Sequence, residues 1–144
     1  MPDTNQSRRS FLKETILLGA GLSAGVLGCA TGLRMITLLS QDGCIVVDTS
    51  EVKELAVVGG AVQLGSELMG DPLFLIRTGV AEYRALSSVC THLGCQVRKT
   101  RFGFRCPCHG SGFDTKGQVV TGPANEPLAS YVLEVSGTVV TIQL

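Results

Sequence analysis

The 144-residue chain has no tryptophan, two tyrosines, five phenylalanines and only two histidines. With so few aromatics, its core must rest on valine, leucine and isoleucine. Neither charge is in surplus, since 12 Lys and Arg balance 12 Asp and Glu. A nucleic-acid partner is therefore excluded, because meeting phosphates takes a basic excess. Charged residues make up 17% and hydrophobic ones 44%, too apolar for a disordered chain. Six cysteines are too few for a small disulfide scaffold, yet too many to ignore. The length leaves room for one domain with an appended segment, not for two full domains.

Beyond Leu39 neither a helical period nor an internal repeat is visible. Short runs rich in Val, Ile and Leu take their place: Cys44 to Asp48, Val52 to Val58, Ala61 to Leu64 and Leu73 to Thr78. The series continues with Val80 to Ser88, Phe102 to Cys106, Gln118 to Thr121, Tyr131 to Ser136 and Thr138 to Leu144. Turn signals separate them, among them Gly59-Gly60, Asp71-Pro72 and Ser136-Gly137. Such runs predict an all-β domain of antiparallel strands in a sandwich or barrel. Val139, Thr141 and Gln143 alternate with Val140, Ile142 and Leu144, as on a half-buried strand.

The amino terminus reads as an export signal. Ser7-Arg8-Arg9-Ser10-Phe11-Leu12-Lys13 precedes 19 residues, Thr15 to Leu33, without Asp, Glu, Lys, Arg or His. A basic stretch followed by an apolar one is a secretory signal or a signal anchor, and the paired arginines with Phe-Leu-Lys resemble a twin-arginine signal. As a helix the apolar stretch would span about 28 Å, close to one bilayer core. The cations Arg8, Arg9 and Lys13 place its start in the cytoplasm and the rest of the chain outside. Val26-Leu27-Gly28-Cys29 offers a competing lipoprotein site. Either way, residues 1–39 are expected to attach the chain to the inner (cytoplasmic) membrane, as a single-pass helix or a lipid anchor, with the domain of residues 40–144 on the periplasmic side. Residues 35–43 read as a short tether, and Cys44 as a buried core residue.

Both histidines and four of the six cysteines fall in two short segments, Cys90-Thr91-His92-Leu93-Gly94-Cys95 and Cys106-Pro107-Cys108-His109-Gly110-Ser111. Thiolate with imidazole selects zinc, copper or an iron–sulfur centre. A zinc module would use four ligands in a closed tetrahedron. Any four-ligand site leaves two cysteines over, and in an oxidising compartment they would pair.

The two segments resemble the motifs of the Rieske iron–sulfur family, in the form typical of quinol–cytochrome c reductases. The resemblance covers roughly residues 42–144. It implies a Rieske fold of stacked antiparallel sheets with a cluster-binding subdomain at about residues 88–124. It implies one 2Fe–2S cluster, with Cys90 and Cys106 on one iron and His92 and His109 on the other. Cys95 and Cys108 would form a disulfide between the loops. Gly122-Pro123-Ala124 resembles the proline loop that covers the cluster in this family. Ser111 stands where the family's serine bonds to the cluster, and Leu93 stands as an apolar shield or a core leucine. Phe113 replaces a tyrosine found in many high-potential members, which implies a lower potential suited to a menaquinol-type donor. Soluble Rieske ferredoxins of ring-hydroxylating oxygenases generally lack the disulfide cysteines, so Cys95 and Cys108 point away from that branch.

The ligand set explains itself by charge. Two ferric ions, two sulfides and two thiolates sum to zero, whereas a four-cysteine cluster starts at −2, so the added electron is easier to accept here. Reduction also makes the imidazole ring protons more tightly held, which couples electron to proton. Quinol releases both, and His92 and His109 are the candidates to contact it. The implied function is an electron-transfer subunit that takes an electron and a proton from quinol and passes the electron to a c-type cytochrome. Cytochrome b and the c-type cytochrome are the implied partners. The alternative is a relay subunit of another periplasmic oxidase, such as an arsenite-oxidase-like molybdoenzyme, or a free-standing tethered carrier.

Overall fold

Leu73-Phe74-Leu75-Ile76 is an unbroken apolar run, and all four side chains are buried. A strand that is apolar on both faces needs a partner layer on each side. The computed structural model, which describes residues 32–144, supplies both. The run lies in β4 (Leu73–Arg77), at the centre of a five-stranded sheet. Its neighbours there are β1 (Met35–Thr37), β3 (Ala61–Gly65), β5 (Tyr83–Ser87) and β10 (Ser130–Tyr131), in the order β1-β3-β4-β5-β10. Leu73 and Leu75 face one core, with Val62, Leu64 and Ala85. Phe74 and Ile76 face another, with Ala61 and Leu86.

The first core is closed by a three-stranded sheet in the order β11 (Leu133–Ser136), β12 (Val139–Gln143) and β2 (Cys44–Asp48). Val140 and Ile142 of β12, with Ile45 and Val47 of β2, supply its inward face and are all buried. The second core is closed by a four-stranded sheet in the order β6 (Arg98–Thr100), β7 (Gly103–Arg105), β8 (Gly112–Phe113) and β9 (Val119–Thr121). Phe104 of β7 stacks on Phe74 with ring centres 4.6 Å apart. The middle sheet is thus shared, and the candidate ligands Cys90 and Cys106 belong to the second core.

The fold is β throughout the described residues, in three sheets, and three expectations are corrected. Residues Val52 to Val58 form no strand. They follow and enter two short 3-10 turns, Thr49–Glu51 and Lys53–Leu55. Val52 and Leu55 lie three residues apart and so share a face in such a turn; both are buried. The Asp48 carboxylate caps the first turn by accepting the Ser50 N–H, and Arg77 donates to the Leu55 and Ala56 carbonyls beyond the second. Met35–Thr37 is not free tether but an edge strand that pairs with β3 in parallel, so the sheets are not wholly antiparallel. Cys44 is half-exposed at the start of β2 rather than buried. No helix among the described residues is long and apolar enough to cross a membrane. Residues 1–31 of the expected signal and anchor, with Cys29, lie outside the described residues, whereas Met35–Thr37 at its expected end belong to the five-stranded sheet.

Gly103 is where the four-stranded sheet tolerates no side chain. A Cβ there would lie 2.0 Å from the Phe113 carbonyl oxygen on the paired strand. Gly103→Ala is expected to destabilise the domain by about 3 kcal/mol through forced strand separation. A urea unfolding midpoint equal to that of the parent would refute this.

Candidate metal centre

The two Cys- and His-bearing loops share one backbone design. In the first, the Cys90 N–H donates to the Cys95 carbonyl (2.8 Å) and the Gly94 N–H to the Cys90 carbonyl (2.9 Å). In the second, the Cys106 N–H donates to the Ser111 carbonyl (2.8 Å) and the Gly110 N–H to the Cys106 carbonyl (3.0 Å). Each loop is therefore six residues long, closed on itself, with glycine fifth. That glycine has positive φ in both, +77° at Gly94 and +80° at Gly110. This left-handed region is where glycine alone avoids a Cβ penalty, which explains the residue at both positions. The first loop follows β5 and closes through a bridge between Val89 and Gln96. The second spans β7 and β8, which are hydrogen-bonded to each other.

This geometry turns the first cysteine of each loop inward. Cys90 and Cys106 are each only 2% exposed. Burial pushes the Cys106 thiol up, but the N–H groups of Cys108 and His109 and the Cys90 thiol, all bonded to its sulfur, outweigh that. Its pKa is held below the ordinary thiol value, which favours the ligating thiolate. The imidazoles of His92 and His109 meet edge to face with ring centres 4.9 Å apart. His92 Nδ1 is buried with no hydrogen-bond partner among the described residues. A buried ring nitrogen with no hydrogen-bond partner fits a metal ligand. His109 is exposed.

Cys95 and Cys108 form a disulfide joining the two loops, with Cα atoms 6.5 Å apart. The Cys95, Cys106 and Cys108 sulfurs lie within 4.8 Å of one another. They do not make a three-thiolate site, because two of the three sulfurs are spent on each other. The donors that remain are two thiols and two imidazoles. Leu93, at 67% exposure, is a surface residue, which removes the core-leucine reading.

A third loop straps the first two together. The Ala124 N–H donates to the buried Ser111 Oγ (3.0 Å), leaving the hydroxyl proton free to donate elsewhere. Thr91 Oγ1 donates to the Glu126 carbonyl (2.6 Å), and the Leu128 N–H to the Gly117 carbonyl (2.9 Å). The Gly122–Pro123 peptide in this loop is cis. The Thr91–Glu126 contact is one that sequence reasoning missed. The acceptor is a backbone carbonyl 35 residues away, which leaves no mark in residue type.

Comparison with known proteins fixes the group these donors serve. Residues 45–132 match the Rieske 2Fe-2S domain. The chloroplast cytochrome b6-f complex iron-sulfur subunit of Volvox carteri is 36% identical over 142 residues, covering 90% of this chain and 68% of that subunit. The corresponding subunit of Trichodesmium erythraeum (strain IMS101) is 45% identical over 82 residues, 54% of this chain; the chain spans less than half of it, 45%. A chain of a solved hyperthermophilic respiratory complex III superposes with a TM-score of 0.53 at 28% identity, over 66% of this chain and 71% of that one. The cofactor is thus a 2Fe–2S cluster, and the chain belongs to the Rieske 2Fe-2S domain family.

Proposed function

We propose that this chain is the Rieske electron-transfer subunit of a membrane-bound, quinol-oxidising cytochrome complex. In this reading it takes one electron, with a proton, from quinol and passes the electron to a c-type cytochrome, with cytochrome b as the neighbouring subunit. The observation that carries it is the pairing of two buried thiols with two facing imidazoles, one of them exposed, in loops locked by a disulfide. Cys90 and Cys106 would hold one iron, and His92 and His109 the other. Bound in this donor set, the cluster supplies a one-electron store at about −150 to +300 mV. Burial of Cys90 and Cys106 keeps water from the thiolates. The exposed His109 ring is placed to hydrogen-bond a quinol oxygen and to hold the proton that arrives with the electron. The division into an amino-terminal anchor that ends before β1 and an exported domain that includes β1, with a cluster-binding subdomain near 88–124, belongs to the same reading.

The test is isolation of the full chain from native membranes, with reduced-state paramagnetic resonance and identification of co-purifying subunits. Rieske signals with b and c haems are expected. A molybdopterin partner, or none, overturns the assignment to a cytochrome complex.

Ser111 is proposed to donate its free hydroxyl proton toward the cluster, where a hydrogen bond favours the more negative, reduced state. Ser111→Ala is expected to lower the midpoint potential by roughly 50 mV, the equivalent of about 1 kcal/mol. It would also orphan the Ala124 N–H. The opposite change is available two residues on, where the buried Phe113 lacks a hydroxyl. Phe113→Tyr is expected to raise the midpoint. Redox titration of both variants decides, and a midpoint that is unchanged or moves the other way sinks the assignment.

A further inference from the structure

The hairpin between the two cluster loops is charged in one sense only. From Cys90 to Phe113 the chain carries Arg98, Lys99, Arg101 and Arg105 and no carboxylate. Residues 35–144 hold eight cations and ten acids in all, so the rest of the domain has four cations against ten acids. Charge is thereby separated along the molecule, basic around the cluster loops and acidic elsewhere.

That basic charge is not neutralised within the domain. Arg98 and Arg105 are direct cross-strand partners, a like-charge pairing that works against the ladder. The one ion pair among the described residues, Arg34 with Glu54, lies elsewhere. At the hairpin tip Phe102 is 80% exposed, with the Arg101 guanidinium carbon 5.3 Å from its ring centre. A protruding aromatic ring among cations matches the headgroup layer of an anionic bilayer, where rings sit at the interface and cations meet phosphates.

The route of the chain points to the same occupant. Gly32 and Leu33 line a cavity of about 570 Å³ together with Arg98, Lys99, Cys95 and Cys108. The cavity thus lies between the residues that lead into β1 and Arg98 and Lys99 of β6, an edge strand of its sheet. Leu33 packs on the same core as Cys90 and Cys106. The 31 residues before Gly32, with the apolar run from Thr15, therefore join the domain beside the basic hairpin.

We propose that the β6–β7 hairpin is seated on the anionic headgroup layer of the membrane, with Phe102 in the interface and Arg98 and Arg101 on lipid phosphates. For the position of the bilayer this rests on the anchor reading above. Seating would hold the cluster loops at the surface from which a lipid-borne quinol arrives.

The test uses the full-length, cluster-bearing protein in vesicles of phosphatidylglycerol with phosphatidylcholine, or of phosphatidylcholine alone. Photoreactive benzoylphenylalanine replaces Phe102 or, as a control, Val46, which is 53% exposed on β2. Lipid adducts are expected at 102 and not at 46. Their yield should fall about fivefold with Arg98→Gln or Arg101→Gln, each removing one cation, and about thirtyfold in neutral vesicles, where both arginines lose the attraction of the anionic surface. Unchanged cluster absorbance shows that these variants are folded. The proposal is overturned by lipid yield at 102 equal to that at 46, by yield indifferent to lipid charge, or by protein adducts replacing lipid adducts in native membranes. A carbonate wash reads the anchor separately. Charge-dependent adducts on an extractable protein support the seating and overturn the anchor, whereas a retained protein without adducts overturns the seating alone.

Discussion

Substituting Ser for Cys106 is expected to give a folded chain without its 2Fe–2S cluster. The side chains are nearly the same size, so the second core, where Cys106 is 2% exposed among Phe104, Phe113 and Val97, loses little packing. What disappears is the proposed ligand. A serine hydroxyl is a harder donor than a thiol and is not deprotonated near neutral pH, even where N–H groups converge as they do on the Cys106 sulfur. Visible absorbance and the reduced-state paramagnetic signal should vanish and bound iron should fall to background, with far-ultraviolet circular dichroism unchanged. Cys90→Ser should behave alike. Cys44→Ser should keep the cluster, because β2 lies across the shared sheet in the other core. A coloured Cys106→Ser protein, or a colourless Cys44→Ser one, would refute the assignment of ligands.

The contrast among these cysteines shows what residue pattern carries and what it does not. β2 is readable because Ile45 and Val47 alternate with exposed neighbours, and its expected bounds, Cys44 to Asp48, match the strand. β4 is readable as an apolar run, although the pattern could not say that its two faces serve different cores. β6, Arg98–Thr100, contains no apolar residue, so no hydrophobic signal exists for a strand held by its pairing with β7. β1 was hidden for another reason. Its parallel partner β3 lies about thirty residues on, and parallel pairing leaves no turn between the strands to mark it. At the site, residue types announced the chemistry, because soft donors are rare and clustered. The straps that fix the loops, Ser111 to Ala124 and Thr91 to Glu126, end on backbone groups and are invisible to any reading of side chains.

Those straps set the terms of the second large effect, removal of the disulfide by Cys95→Ser with Cys108→Ser. Each loop closes on itself through its own backbone bonds, so neither should unfold alone. What the bond fixes is the distance between them. Its ends are 13 residues apart, and cross-linking a loop of that size lowers the entropy of the unfolded chain by the equivalent of about 3 kcal/mol. All four proposed ligands survive, so the variant should assemble its cluster. It should bleach at a lower urea concentration than the parent, by an amount corresponding to that loss. A coincident bleaching midpoint would mean that the third loop alone fixes the geometry. Removing a strap as well discriminates further. Thr91→Val alone should lose about 1 kcal/mol, the worth of one hydrogen bond. The disulfide and the Thr91 strap restrain the same first loop, so each can compensate while the other remains. The triple variant should therefore lose more than the sum of the two changes, whereas independent restraints would simply add.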